Sequence, residues 1–301
     1  MVQTIVKKRT RREKSGTLNV RSTSEKILFG IVFSIFFLQS LLLIFPVLWL
    51  FVSSLKTSDE YIFNNAFSMP AKLQWGNYIA AFTKLEVNNT NFLGMVFNSI
   101  WYTGISTALG IYFPACTGYV MSRYRFRGRE VIYTVVITAM MLPVVGTSAA
   151  SMRFVATLGL YDTPLYIVYR SIDGFSASFL VFYGFFKSIS WSYAEAVQID
   201  GGGPFTIFYK IMLPQAAPVL LTYAITNSIT WWNSYADVTM YIPSYPTVAS
   251  GLFAYKSIVT RTGQFTTYYA GLFISMIPAL AIFATFSGRI MGSISIGGLK
   301  G

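Results

Sequence analysis

The residues able to do chemistry are few, and their types exclude most of it. The 301-residue chain has no histidine and one cysteine, Cys116, which removes histidine-based catalysis, disulfide frameworks and most metal sites. No G-x-x-x-x-G-K-[ST] loop is present to cradle a nucleotide phosphate. The acids stand on loops or at the ends of apolar runs, and none sits with a nucleophile and base in the way hydrolysis requires. What remains suits recognition. Tyr223, Asn227, Trp231 and Ser234 recur at helical spacing, with Thr226, Thr230, Trp232, Asn233 and Asp237 beside them. Such a stripe offers amides to hydroxyls and aromatic rings to C–H faces. The same residues also serve plain packing, because aromatics gather at membrane interfaces and amides bridge helices.

A second polar group lies just before that stripe. The stretch from Ser192 to Pro214, SYAEAVQIDGGGPFTIFYKIMLP, is an island between long apolar runs. Ser192 followed three residues later by Glu195 predicts a capping box that starts a helix. Gly201, Gly202 and Gly203 are expected to supply positive-φ positions that stop it, and Pro204 fits the first turn of a second helix. Phe205, Phe208, Ile211 and Met212 give that second helix one apolar face. Ala194, Ala196 and Val197 keep the first slim enough for close docking.

The elements that must hold these groups belong in a bilayer, since 54% of the residues are hydrophobic and only 11% charged. Windows of about 20 residues, the length that crosses the hydrocarbon core, predict six spans near 27–53, 94–121, 131–151, 165–187, 214–236 and 268–290. The first is too long for a signal-peptide core. Gly104, Gly110, Pro114 and Gly118 loosen the second, and Cys116 is expected to be a small buried hydrophobe within it. A net charge of +12 would suggest nucleic acid in a soluble protein, but residues 1–26 carry eight Lys or Arg against two Glu and the 122–130 loop four Arg against one Glu. That placement is a cytoplasmic anchor by the positive-inside rule. The 54–93 and 152–164 loops are neutral and lie outside, the former with strand-like and turn residues. Both termini and the glycine-rich island then lie inside. Asp162, Asp173 and Asp237 fall near span ends, which disfavours a proton-driven carrier, because proton relays place ionisable groups within spans.

The island resembles the EAA motif of ABC-importer permeases, E-A-A, three residues, G, nine residues, I-x-L-P. Glu195, Ala196, Gly201, Ile211, Leu213 and Pro214 fall in register, with Asp200 before the glycine; Val197 replaces the second alanine and Gly202 a common alanine. Pro70, Trp75, Asn77, Tyr78, Phe97, Asn98 and Ser99 resemble a pattern of sugar-importer permeases. Tyr119, Arg123, Phe126, Arg127 and Gly128 resemble their Y-x-x-S-R-x-x-F-R-G turn, and Met141, Leu142 and Pro143 their third-span M-x-P. Trp232, Asn233, Ser234, Asp237, Tyr241 and Ile242 resemble a stretch of the oligosaccharide and lipo-oligosaccharide branch, from which Tyr235, Ala236 and Val238 depart. Gly297, Lys300 and Gly301 match the family's G-x-x-K-G ending.

This resemblance implies an all-α integral membrane protein with the six transmembrane helices of the type I ABC importer permease fold. The transmembrane domain would cover 26–292, between a basic cytoplasmic tail at 1–25 and a C-terminal tail at 293–301, with a cytoplasmic coupling helix in the region 190–213. Glu195, as cap and polar contact, Ala196, as packing surface, Asp200, as a local hydrogen-bonding group, and Gly201, as the turn, would meet a separate ATPase. Tyr223, Asn227, Trp231, Trp232 and Asn233 would be the candidate substrate pathway. The partners implied are a second, dissimilar permease subunit, two ATPase subunits or domains, an extracellular binding protein, a carbohydrate, in particular an oligosaccharide, and the bilayer, without nucleic acid. The chain itself is expected to be non-catalytic and to bind no cofactor, ATP and Mg acting on the ATPases, in a bacterial cell membrane. An ABC permease for a non-sugar solute, a secondary carrier and a membrane scaffold are the alternatives.

Overall fold

The computed structural model describes residues 23–142 and 146–297. Most of the basic tail, Pro143 of the M-x-P match, and Lys300 and Gly301 of the C-terminal ending lie outside the described residues. The chain divides into two units between Leu50 and Phe51. The first unit is the body of helix α1, Thr23–Ser54, whose large apolar side chains are exposed from Ile27 to Phe45. A helix in hydrocarbon satisfies its polar side chains internally, and the hydroxyls of Ser34 and Ser40 donate to the carbonyls of Gly30 and Phe36, each one turn back, at 2.8 Å.

The second unit opens with a stapled loop. Helix α2, Ser58–Phe63, begins in a capping box between Thr57 and Glu60, and α3, Gly76–Lys84, follows. Lys56 is buried, and its ammonium donates to the Ala66 carbonyl at 3.0 Å and the Ser68 hydroxyl at 3.4 Å. The strand-like character expected here shrinks to a hairpin of two residues a side, β1 Glu86–Val87 and β2 Thr90–Asn91. Its two turn residues, Asn88 and Asn89, have φ of 51° and 59°, the left-handed pair that a tight type I′ turn demands. The loop packs on the start of the last helix, where Tyr61 and Tyr269 share a 2.5 Å hydroxyl hydrogen bond.

Eleven further helices follow among the described residues: α4 Phe92–Arg123, α5 Arg129–Met141, α6 Ser148–Thr157, α7 Leu165–Ser171, α8 Ala177–Ser188, α9 Ser192–Ile199, α10 Pro204–Gln215, α11 Ala217–Trp232, α12 Ala236–Tyr241, α13 Val248–Thr262 and α14 Phe265–Gly297. Two of all the described helices, α1 and α14, are long and apolar enough to cross a membrane, and α10 with α11 makes a third if that pair, bent by 70°, counts as one span. The six expected spans are therefore not matched one to one by unbroken helices, and the interruptions have local causes. α5 ends at Met141, two residues before Pro143, whose ring disfavours helical geometry in the residue preceding it. The fourth span breaks between α7 and α8, where the Asp173 carboxylate accepts the Phe175 N–H at 3.0 Å and closes a local turn in place of the helical bond. In the fifth, α11 starts at Ala217 with Pro218 in its first turn, so no straight helix runs on from Pro214.

α4 is the central pillar, packed on α8 and α11, and α11 packs in turn on α14. A Cβ at Gly118 would lie 2.8 Å from Phe182 Cβ and 2.9 Å from the Tyr183 nitrogen, so α4 and α8 touch backbone to backbone there. Glycine thus tightens this span. Three buried clusters result. One joins α4, α8, α9 and α10 through Ala115, Tyr119, Phe182, Phe186, Ala194, Phe208 and Met212. A second ties α3, α4, α13 and α14, and a third ties α4, α6, α7 and α12.

Candidate functional site

The glycine-punctuated island folds as two helices, with corrections to how it does so. Trp191, not Ser192, is the N-cap of α9, and no side chain caps it; the Trp191 carbonyl accepts from Ala194 and Glu195 instead, at 2.8 and 3.1 Å. The expected Ser192–Glu195 capping box is absent because Ser192 is already inside the helix. Only Gly201 among the three glycines has a positive φ, +79°, while Gly203 is extended. Pro204 does open the second helix. That helix is widened to π geometry over Ile207–Met212, which rotates its buried face to Ile207, Phe208 and Met212 and leaves Phe205 outside, 78% exposed.

The outcome is a two-sided device. Ala194 is fully buried against the α4–α8 core. Glu195, Ala196, Asp200 and Gly201 are exposed on the other side, with Ile199 85% and Tyr193 54% exposed nearby. Leaving such side chains in water forgoes roughly 1.5–3 kcal/mol each relative to burial. Clustered beside a carboxylate pair, they form a surface suited to a partner.

The second group of predicted residues is divided by the structure. Tyr223, Asn227 and Trp231 line one cavity of about 250 Å³, together with Gly110 of α4 and, from the break in the fourth span, Arg170, Ser171, Asp173, Ser176, Ala177 and Ser178. Trp232 points away, buried, its indole N–H donating to the Ser275 carbonyl of α14 at 3.0 Å. Asn233 is exposed and its amide returns to the Ile229 carbonyl at 2.8 Å. Thr226 and Thr230 likewise donate to carbonyls one turn back, at 3.1 and 2.9 Å. Consecutive residues on a helix differ by 100° in direction, so the tryptophan pair cannot face one site.

Arg170 is the cavity residue that the spacing argument missed. Its guanidinium lies 5.7 Å from the Trp231 ring centroid and its Nε 3.8 Å from Asp237 Oδ2. Tyr102 also meets Trp231 edge-on, at 5.9 Å between ring centroids. The available signal was the polar run Arg170, Ser171, Asp173, Ser176, Ser178 interrupting an apolar span. Cys116 is half-buried, on the wall of a separate, mostly aromatic cavity with Tyr112, Tyr119, Phe208 and Tyr209.

Residues 115–295 match the model of a family described as the binding-protein-dependent transport system inner membrane component. The chain belongs to that family. Among relatives of this inner membrane component, the diacetylchitobiose uptake system permease of Streptomyces coelicolor is 28% identical over 285 residues, covering 92% of this chain and 90% of that one. The arabinooligosaccharide transport system permease of Bacillus subtilis is 25% identical over 288 residues, covering 94% of this chain and all of that one. In fold, the inner membrane component is similar to a chain in the crystal structure of a bacterial ABC transporter involved in the import of the acidic polysaccharide alginate. The TM-score is 0.73 at 23% identity, over 90% of this chain and 99% of that one. The helical, membrane-embedded permease fold expected from the EAA match is thereby shown.

Proposed function

We propose that this inner membrane component is one half of the membrane pathway of an ATP-driven carbohydrate importer, with an oligosaccharide as its cargo. The observation that carries this reading is the exposed Glu195–Gly201 surface on a helix whose opposite face is rooted in the core shared by α4 and α8. A separate ATPase docks on that surface, and its closure displaces α9. ATP and Mg act on the ATPase, and the chain described here performs no chemistry. Glu195 and Asp200 supply the polar contacts, Ala196 the close-packing surface and Gly201 the turn. The cavity lined by Tyr223, Asn227 and Trp231 contributes one wall of the pathway, and Trp232 and Asn233 hold the helix in place rather than touch cargo. A second, dissimilar permease subunit completes the pathway, and an extracellular binding protein delivers the cargo. The relatives support the cargo class, being permeases for diacetylchitobiose and for arabinooligosaccharides. The basic tail, the coupling region 190–213 and both termini lie on the cytoplasmic side.

Substitution at Gly201 tests this directly. Gly201→Val meets no atom, since a Cβ there has nothing within 4 Å, but it forces a left-handed backbone that costs roughly 1–2 kcal/mol. In liposomes carrying the full transporter, G201V is expected to assemble and hydrolyse ATP while uptake of a radiolabelled oligosaccharide mixture falls well below the parent's. Uptake and hydrolysis that fall or persist together would refute the coupling role.

A further inference from the structure

Arg123, the last residue of α4, makes contacts that the proposed pathway does not by itself account for. Its Nη2 donates to the carbonyls of Phe186 and Ile189, the last turn and C-cap of α8. Its guanidinium carbon lies 5.6 Å from the centroid of the Trp191 ring, and Trp191 is the N-cap of α9. Three segments therefore meet at one side chain. The carbonyl end of a helix carries partial negative charge and lacks intrahelical donors. An aromatic face attracts a cation. One guanidinium nitrogen, Nη2, serves both carbonyls while the flat group lies over the ring; lysine is a point charge with no such face.

The position matters because of what lies at the other ends of the same helices. α4 brings Gly110 to the cavity and α8 brings Ala177 and Ser178. At about 1.5 Å per residue, Arg123 sits roughly 20 Å along α4 from Gly110, and Phe186 about 12 Å along α8 from Ser178. Around the junction, Tyr119 packs on Phe186 at 5.5 Å and on Phe208 at 4.8 Å between ring centroids. These ring contacts pack the junction without directional bonds. The guanidinium is the directional bond among them.

We propose that Arg123 is the positioning residue that makes α9, α8 and α4 move as one body, so that displacement of the docked helix reaches the cavity. This rests on the reading of the chain as an ATP-coupled permease. The test needs no knowledge of the cargo. In the complete transporter, with Cys116→Ala and Ala177→Cys as the parent, a membrane-impermeant maleimide reports access to the cavity with and without ATP and vanadate. The parent is expected to change its labelling rate with nucleotide. R123Q is expected to hydrolyse ATP at the parent rate yet lose most of that change. R125Q, which removes the same charge from an exposed side chain of the same loop, is expected to respond as the parent does. Trp191→Leu removes only the ring contact and is expected to give a smaller loss; it decides the matter if R123Q yields no complex. A full nucleotide response in R123Q, or in W191L where R123Q cannot be assayed, overturns the proposal, as does an equal loss in R125Q. Absence of any nucleotide response in the parent would instead refute the permease reading itself, and this inference with it.

Discussion

Val197 and Gly202 are the two places where the island departs from the E-A-A-x-x-x-G-A pattern, and the structure sets the two residues against each other. A Cβ at Gly202 would sit 2.4 Å from Val197 Cγ1 and 3.0 Å from the Val197 carbonyl oxygen. The Gly202 N–H already donates to that carbonyl at 2.8 Å, so the backbone cannot retreat. Valine fills the space that alanine would fill from the other side. G202A alone is expected to destabilise by about 1–3 kcal/mol through overpacking, V197A alone by roughly 0.5–1.5 kcal/mol through lost packing, and the pair to recover most of the sum. Thermal unfolding of the four proteins in detergent would measure this; strictly additive shifts would show the sites to be independent. Neither residue's role was legible singly, because spacing reveals a motif but not which of its positions share a volume.

At the scale of elements, the stapled loop 54–78 gives a prediction with a definite sign. The Glu60 carboxylate accepts the Thr57 N–H at 3.0 Å and the Ala71 N–H at 3.1 Å. These bonds, the one from Thr57 foremost, hold its pKa below the ordinary carboxylate value. A group lowered on folding stabilises fully above its unfolded pKa, about 4.3 for glutamate, and the stabilisation drains away as pH falls from there towards the folded value. Hydrogen exchange at the Ala71 amide is therefore expected to accelerate, beyond its intrinsic pH dependence, as pH drops from about 5 to 3, and E60Q to abolish that excess. An unchanged excess in E60Q would sink the assignment. The capping box at Thr57–Glu60 was as visible in the sequence as the supposed one at Ser192–Glu195. The first forms and the second does not, because Trp191 packs into the α4–α8–α9 core and draws the helix start one residue earlier.

For the molecule as a whole, the proposed function requires the topology that charge placement predicts. Lys72, in the neutral 54–93 loop, and Arg125, in the arginine-rich 122–130 loop, are both exposed. In a Cys116→Ala background, K72C is expected to react with an impermeant maleimide added outside intact cells, and R125C only after the membrane is opened. The reverse pattern would invert the protein and place the Glu195–Gly201 surface out of reach of a cytoplasmic ATPase.

The sequence by itself determined the membrane class, the family and the position of the glycine-punctuated island, because hydropathy, charge asymmetry and a fixed-spacing motif are one-dimensional signals that survive any arrangement of helices. It also grouped Tyr223, Asn227 and Trp231, whose i, i+4, i+8 spacing puts them on one face of any α-helix. Prolines and the Asp173 turn break the spans locally, but tertiary structure alone decided how the pieces bend and which neighbours complete each site. The 70° bend before α11, the turn at Asp173 and the π segment at Ile207–Met212 each re-aim side chains that straight-helix spacing would place elsewhere. Arg170 and Arg123 make their contacts with helices about 60 residues away in the chain, a separation that no local pattern encodes.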